Sequence, residues 1–348
     1  MTRMRRRRHR ERREKLSDLR EEDLLDLRLC DLDLAIEGTP LERRIGRLHG
    51  ELAARGLEFR PHFWLAEDWF SPDAIPGVAI PFYLAHPRLA RLEKKMMREL
   101  IGGTEDACMR ILRHETGHAF DTAYRLHRRK GWRDLFGKSS QPYPRNYQPR
   151  PYSRSYVVHL ELWYAQSHPF EDFAETFAVW LRPRSPWRKQ YRGWPAMRKL
   201  EYVEETMAEI GAAKPLVRSR GRSERLETVK TTLREYYVEK RDRFGLDLTA
   251  VYDRELRRMF ADPALEPEAP SATALLDRQR RELRRLVSVG TGEYQYTVDQ
   301  VLNEMIDRCR ALDLRVDRDE NEVVRDVLVT LTAQIMNYLR EGHHRVVL

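Results

Sequence analysis

Residues 114–118 read His-Glu-Thr-Gly-His, the pattern H-E-x-x-H. On a helix, positions i and i+4 share a face. His114 and His118 can therefore turn their imidazoles on one metal ion, and Glu115 beside them can reach a water on that ion. A catalytic zinc with one open position takes three protein ligands, so two histidines need a third partner. Residues 168–181, HPFEDFAETFAVWL, carry Glu171 and Glu175 four apart, with Phe173, Phe177, Trp180 and Leu181 to pack that helix against the first. Both carboxylates share one helix face, and one of them is the expected third ligand. The other histidines read differently. His159 and His168 are polar groups near the site, with His168 ahead of Pro169 as a helix cap and not a ligand. His127 is expected on the exposed end of the histidine helix, and His343 and His344 as solvated side chains.

Several elements must position these residues. Gly102–Gly103 is a break, and Thr104 with Glu105 and Asp106 behind it predicts a capped helix running to about Arg128. Upstream, Pro40 opens a helix whose Leu41, Ile45, Leu48 and Leu52 repeat at helical spacing, and Gly56 ends it. Leu57, Phe59, Phe63 and Leu65 predict a half-buried strand interrupted by Pro61. VAIPFYLAHP, residues 78–87, predicts a second strand, at an edge because Pro81 cannot donate to a ladder. A peptide could lie along that edge by strand addition. After the histidine helix, Pro142, Pro144, Pro149 and Pro151 make a long irregular segment rich in Tyr and Arg, as in lids and binding loops. Helix is expected again over about 156–167, 169–182 and 195–210. Between these, RPRSPWRKQYRGWP (182–195) interleaves Arg with aromatics, which reads as Arg stacked on Trp at a helix junction rather than as a nucleic-acid face.

Residues 211–225, GAAKPLVRSRGRSER, are small, basic and turn-prone, a linker in pattern. Beyond them, 224–241, 247–260, 271–288, 294–312 and 319–340 alternate apolar and charged residues near a 3.6 period. The expected organisation is a basic, disordered tail (1–20), an α+β domain with a small mixed sheet (21–212), a linker (213–223) and a mostly α-helical C-terminal domain (224–348).

Composition narrows the function classes. The 348 residues are 41% hydrophobic and 34% charged, with a mean hydropathy of -0.71, and no apolar run is long enough for a membrane helix. Cys30, Cys108 and Cys309 lie too far apart for a disulfide scaffold or a cysteine zinc ribbon, so a reducing cytoplasm is the expected location. Of the net charge of +9, +7 falls in residues 1–20 (ten Arg/Lys against three Asp/Glu), leaving +2 for the rest. The charge is thus a property of the tail. Nucleic-acid binding there is possible but not the favoured reading.

HETGHAFDTAYRL followed by YAQSHPFEDFAETFAVWL resembles the putative zinc-binding metallopeptidases of bacteria, in the zincin clan, over about residues 30–210. The C-terminal third lies outside the resemblance. What it implies is a zincin-like fold and one zinc ion per chain. The gluzincin branch, which includes anthrax lethal factor, has its ligand glutamate at the start of E-x-x-[AS]-[DE]. Carried over, this makes Glu171 the ligand beside His114 and His118, and Glu175 the carboxylate behind His114. Lethal factor also has a transition-state tyrosine seven residues before its ligand glutamate, which corresponds to Tyr164. The expected activity is hydrolysis of a peptide or protein by a zinc-activated water, with Glu115 as general base and Tyr164 at the oxyanion. The alternative is a non-catalytic or differently specific zinc protein that binds a partner or nucleic acid.

Overall fold

The computed structural model describes residues 16–338 apart from 98, 145–146, 148–149, 151 and 245–252. Most of the basic tail (1–15) and both His343 and His344 lie outside the described residues. The described residues fold as two compact units, 16–94 with 100–235, and 95–99 with 236–338.

The first unit holds helices α1 (Glu21–Leu25), α2 (Pro40–Ala54), α3 (Pro87–Met97, up to residue 94), α4 (Glu105–Tyr124), α5 (Lys130–Phe136), α6 (Pro169–Leu181), α7 (Trp187–Gln190) and α8 (Ala196–Ile210), with strands β1 (His62–Ala66) and β2 (Gly77–Pro81). The Thr39 hydroxyl accepts the Leu41 N–H at the start of α2, and Leu41, Ile45, Leu48 and Leu52 form its buried face. β1 and β2 pair in parallel, from His62 opposite Gly77 to Ala66 opposite Pro81. Phe70 bridges Ala79 in the antiparallel sense, which makes the small sheet mixed.

The strand expected over 78–87 is shorter than its apolar run, ending at Pro81. Pairing stops at Pro81; residues 82–85 form a 3-10 turn, and α3 follows from Pro87. All of 77–85 is buried, and a continuous apolar run does not separate a buried strand from a buried turn. β2 is an edge strand of this two-stranded sheet, as Pro81 predicts, and a bridge occupies its outer side, where the Ala79 N–H donates to Phe70 O at 2.8 Å. The helix expected over 156–167 is only a 3-10 turn, Glu161–Gln166.

α4 is the central helix of this unit. The Thr104 hydroxyl accepts the Ala107 N–H, and the helix ends at Arg125, which takes the left-handed conformation at φ 52°. The Arg113 guanidinium makes a buried bidentate pair with Glu51, at 2.7 and 2.8 Å, that ties α4 to α2. α4 packs along α6. Between them, Gly117 faces Ala174 so closely that a Cβ would lie 2.8 Å from the Ala174 Cα. α6 has Pro169 in its first turn, where its missing N–H costs nothing. The His168 ring caps this helix, Nδ1 accepting the Phe170 N–H.

Residues 211–233 are fastened along this unit. Gly211 O accepts from Glu58 N, Gly221 O from the His62 ring and Ser223 O from the Trp64 indole, at 2.7–2.9 Å. Further on, Leu29 N donates to Thr231 O, Cys30 N to Val229 O and Leu233 N to Leu27 O, each at 2.9 Å.

α9 (Leu233–Phe244) follows, and the second unit then contains α10 (Asp253–Met259), α11 (Ala272–Thr291), α12 (Gln295–Ala311) and α13 (Glu320–Tyr338). Its core is built at helical spacing: Val323, Val327, Leu331 and Ile335 on α13 are buried with Leu276, Leu283 and Val287 of α11 and Val298, Leu302 and Met305 of α12. Asp299 is buried there with Arg280 (2.9 and 2.7 Å) and Arg284 (2.9 Å). No helix among the described residues is long and apolar enough to cross a membrane.

Candidate metal centre

α4 sets His114 and His118 one turn apart, and the first turn of α6 brings Glu171 to them. The three ligand atoms converge. His114 Nε2 and His118 Nε2 are 3.1 Å apart, and Glu171 Oε2 lies 3.0 Å from the first and 3.1 Å from the second. Among the described residues this is the one His/Cys/Asp/Glu group of three with metal-ligand spacing. His114 and Glu171 are buried, and the His118 side chain keeps 15% of its surface exposed, so the cluster opens on the His118 side.

Glu175 decides which way the His114 ring carries its hydrogens. Its Oε1 lies 2.9 Å from His114 Nδ1, and its Oε2 accepts the Leu160 N–H at 2.8 Å. An ionised carboxylate only accepts, so Nδ1 carries a hydrogen and the neutral ring turns a lone pair at Nε2 toward Glu171. Two histidine nitrogens and a carboxylate oxygen then meet with too few hydrogens between them. A proton or a cation must balance them.

Protons can do so in part. Burial disfavours charge on His114, but hydrogen bonds with Glu171 and Glu175 push its pKa up to about 10. Burial also works against charge on His118, and the Glu171 carboxylate raises its pKa above the ordinary value. Burial likewise opposes ionisation of Glu171, yet His118 and His114 hold it well below the usual carboxylate range.

A zinc ion fits the same three atoms. Their 3.0–3.1 Å separations are close to the roughly 3.3 Å edge of a tetrahedron with ligands at about 2.0–2.1 Å. Imidazole and carboxylate donors suit that metal, and three of them leave a fourth position open. Glu115 stands next to the cluster, buried, with its pKa raised by that burial and lowered in part by the two histidines. A carboxylate so placed is suited to accept a proton rather than to remain a passive charge.

The Tyr164 ring lies 5.7 Å from that of His114, and its buried hydroxyl has no hydrogen-bond partner among the described residues. Trp163 before it has φ 53°, a strained conformation for an indole-bearing residue. His168 caps α6 as expected, and His159 stays outside the cluster, its Nε2 paired with Arg110 O at 3.0 Å. The Arg/Trp stretch packs as read, with Arg188 over Trp187 at 4.1 Å.

Two features had no counterpart in the sequence reading. The Tyr143 hydroxyl donates to Glu171 Oε1 at 2.8 Å. His127, expected on an exposed helix end, instead folds back on Asp121. That buried carboxylate takes both the His127 N–H (2.8 Å) and Nδ1 (2.6 Å). The left-handed Arg125 makes this return possible. Asp and His six apart at the close of a helical pattern is the only signal that could have suggested it. Glu115, His118, Glu171, Tyr143, Asp121 and His127 all line one cavity of about 550 Å³.

No curated protein and no solved structure matches the chain. Residues 90–186, which contain α4, α6 and every residue of the cluster, match the model of a family described as putative zinc-binding metallo-peptidase, and the chain accordingly has zinc-binding, metallopeptidase-like character.

Proposed function

We propose that the protein is a zinc-dependent peptidase acting on a peptide or protein substrate in the 550 Å³ cleft. His114, His118 and Glu171 would hold the ion, with Glu175 behind His114 keeping the Nε2 lone pair available. Zinc, when bound, supplies Lewis acidity to the scissile carbonyl and makes a water nucleophilic near neutral pH. Glu115 takes the proton of the attacking water and passes it to the leaving amine, a task for which its raised pKa suits it. The Tyr164 hydroxyl, without a hydrogen-bond partner among the described residues, donates to the oxyanion as charge develops there. The free Cys30, Cys108 and Cys309 fit work in a reducing compartment such as the cytoplasm.

The observation that carries this reading is the meeting of three ligand atoms from two helices beside a buried glutamate. A purely structural zinc has no use for that fourth group. Metal analysis of the purified protein should find one zinc per chain, and Glu171→Ala should lose it. Glu115→Gln should keep the zinc and lose cleavage of casein. Cleavage by Glu115→Gln at the wild-type rate would remove the proposed base.

A further inference from the structure

The Glu171 carboxylate is shared between two tasks. Oε2 faces the two histidines, while Oε1 takes a hydrogen bond from Tyr143. Among the described residues, Tyr143 is the one donor to Oε1. Glu171 also has a local alternative. It is the third residue of α6, after Pro169 and Phe170. A glutamate there can fold back on the N-cap backbone, as in a capping box. Something must hold it toward the histidines instead.

Tyr143 is built for that. It lies between Pro142 and Pro144. The rings fix φ on either side, and a residue before proline is confined to extended conformations, so the phenol is presented on a stiff piece of backbone. Its ring stacks on His168 with centroids 3.8 Å apart and planes 16° from parallel. His168 is itself fixed at both nitrogens, Nδ1 accepting the Phe170 N–H and Nε2 donating to Gln141 O at 2.8 Å. The segment carrying Gln141 and Tyr143 thus clamps the first turn of α6 and ends in a hydroxyl on the ligand carboxylate. Tyr143 is also 49% exposed and lines the cleft.

We propose that Tyr143 is a positioning residue that holds Glu171 to one-oxygen contact with the metal, so that the 141–143 segment sets the grip of the site. This rests on the zinc reading above. Tyr143→Phe is a clean test because it keeps the stack on His168 and removes only the hydroxyl. Tyr152→Phe is the control, since Tyr152 is 86% exposed and touches Trp163 rather than the cluster.

Zinc affinity of the full chain would be measured by competition with a chromogenic chelator, and the visible spectrum recorded with cobalt in place of zinc. Tyr143→Phe should weaken zinc binding at least about ten-fold, the usual effect of losing a partner behind a metal ligand. Its cobalt absorption should fall as Glu171 becomes free to use both oxygens, a change that a merely structural role would not produce. Tyr152→Phe should match wild type within about two-fold. Equal affinity and an unchanged cobalt spectrum in Tyr143→Phe would overturn the proposal while leaving the zinc reading intact. Failure of wild type itself to bind zinc would remove that reading, and this one with it, before any variant is compared.

Discussion

Gly117 stands between the two histidines on α4, and replacing it with alanine separates two effects of opposite sign. A Cβ at this position would lie 2.8 Å from Ala174 Cα, 3.2 Å from Ala174 O and 3.2 Å from Phe177 Cβ. Ordinary carbon contacts are about 3.5–4.0 Å, so the helices must part by roughly 1 Å. None of the three atoms can rotate out of the way. Gly117 has ordinary helical geometry, so the constraint is space and not conformation. Alanine gains about 1 kcal/mol of helix propensity over glycine, while overpacking costs about 1–3 kcal/mol. Net stability should therefore change by no more than about 2 kcal/mol, and the fold should survive. The metal site should not be so tolerant, because its ligand distances hold within about 0.2 Å, and Glu171 sits one turn from Ala174 on the helix that moves. Gly117→Ala should thus unfold thermally near wild type in EDTA yet bind zinc at least about ten-fold more weakly. Wild-type affinity in the chelator competition would show that α6 can yield without carrying Glu171 away, and the packing argument would be wrong.

Two further outcomes are expected. Burial pushes the His159 pKa down to about 4, against the charge of Glu175 and the bond to Arg110 O. Because the unfolded chain protonates first, stability is full above pH 6.5 and is lost as pH falls toward 4. Denaturant titrations should show wild type losing up to about 3 kcal/mol over that window relative to His159→Gln, which keeps a donor but cannot titrate; parallel curves would count against it. In the second unit, Asp299→Ala strips the carboxylate from Arg280 and Arg284 and should cost that unit about 3 kcal/mol, read as faster amide exchange in α11 and α12. Burial raises the Asp299 pKa, but the two guanidiniums outweigh it and hold it below the ordinary value. Its contribution should persist at neutral pH and be lost only as pH falls below about 4.

The centre of the site was legible because helical spacing is a strong signal. His114 and His118 lie i, i+4 on one helix, and apolar residues around Glu171 and Glu175 marked a second helix to bury against it. Tyr143 was hidden because it lies 28 residues before Glu171 on a proline-rich stretch with no period to read. The His127–Asp121 pair was hidden because the turn that makes it uses Arg125 at φ 52° rather than a glycine. The sheet was read too long because Phe82, Tyr83, Leu84 and Ala85 are all buried in a turn, where apolar runs lose their pattern. The fastening of residues 211–233 depends on side chains such as His62 and Trp64 reaching backbone carbonyls, and that leaves no trace in composition or periodicity.

The last fastening has a consequence for how the molecule comes into being. His114 and Glu171 are separated by 57 positions, so they can meet early in synthesis. The bonds from Leu29 to Thr231 and from Leu233 to Leu27 join positions about 200 apart, and such distant closures are slow and come late. A ribosome must deliver residue 233 before the opening segment finds its partner. Early fragments, and any truncation that ends before the 229–233 return, should therefore present the 27–30 backbone to chaperones and proteases even where His114, His118 and Glu171 have already come together.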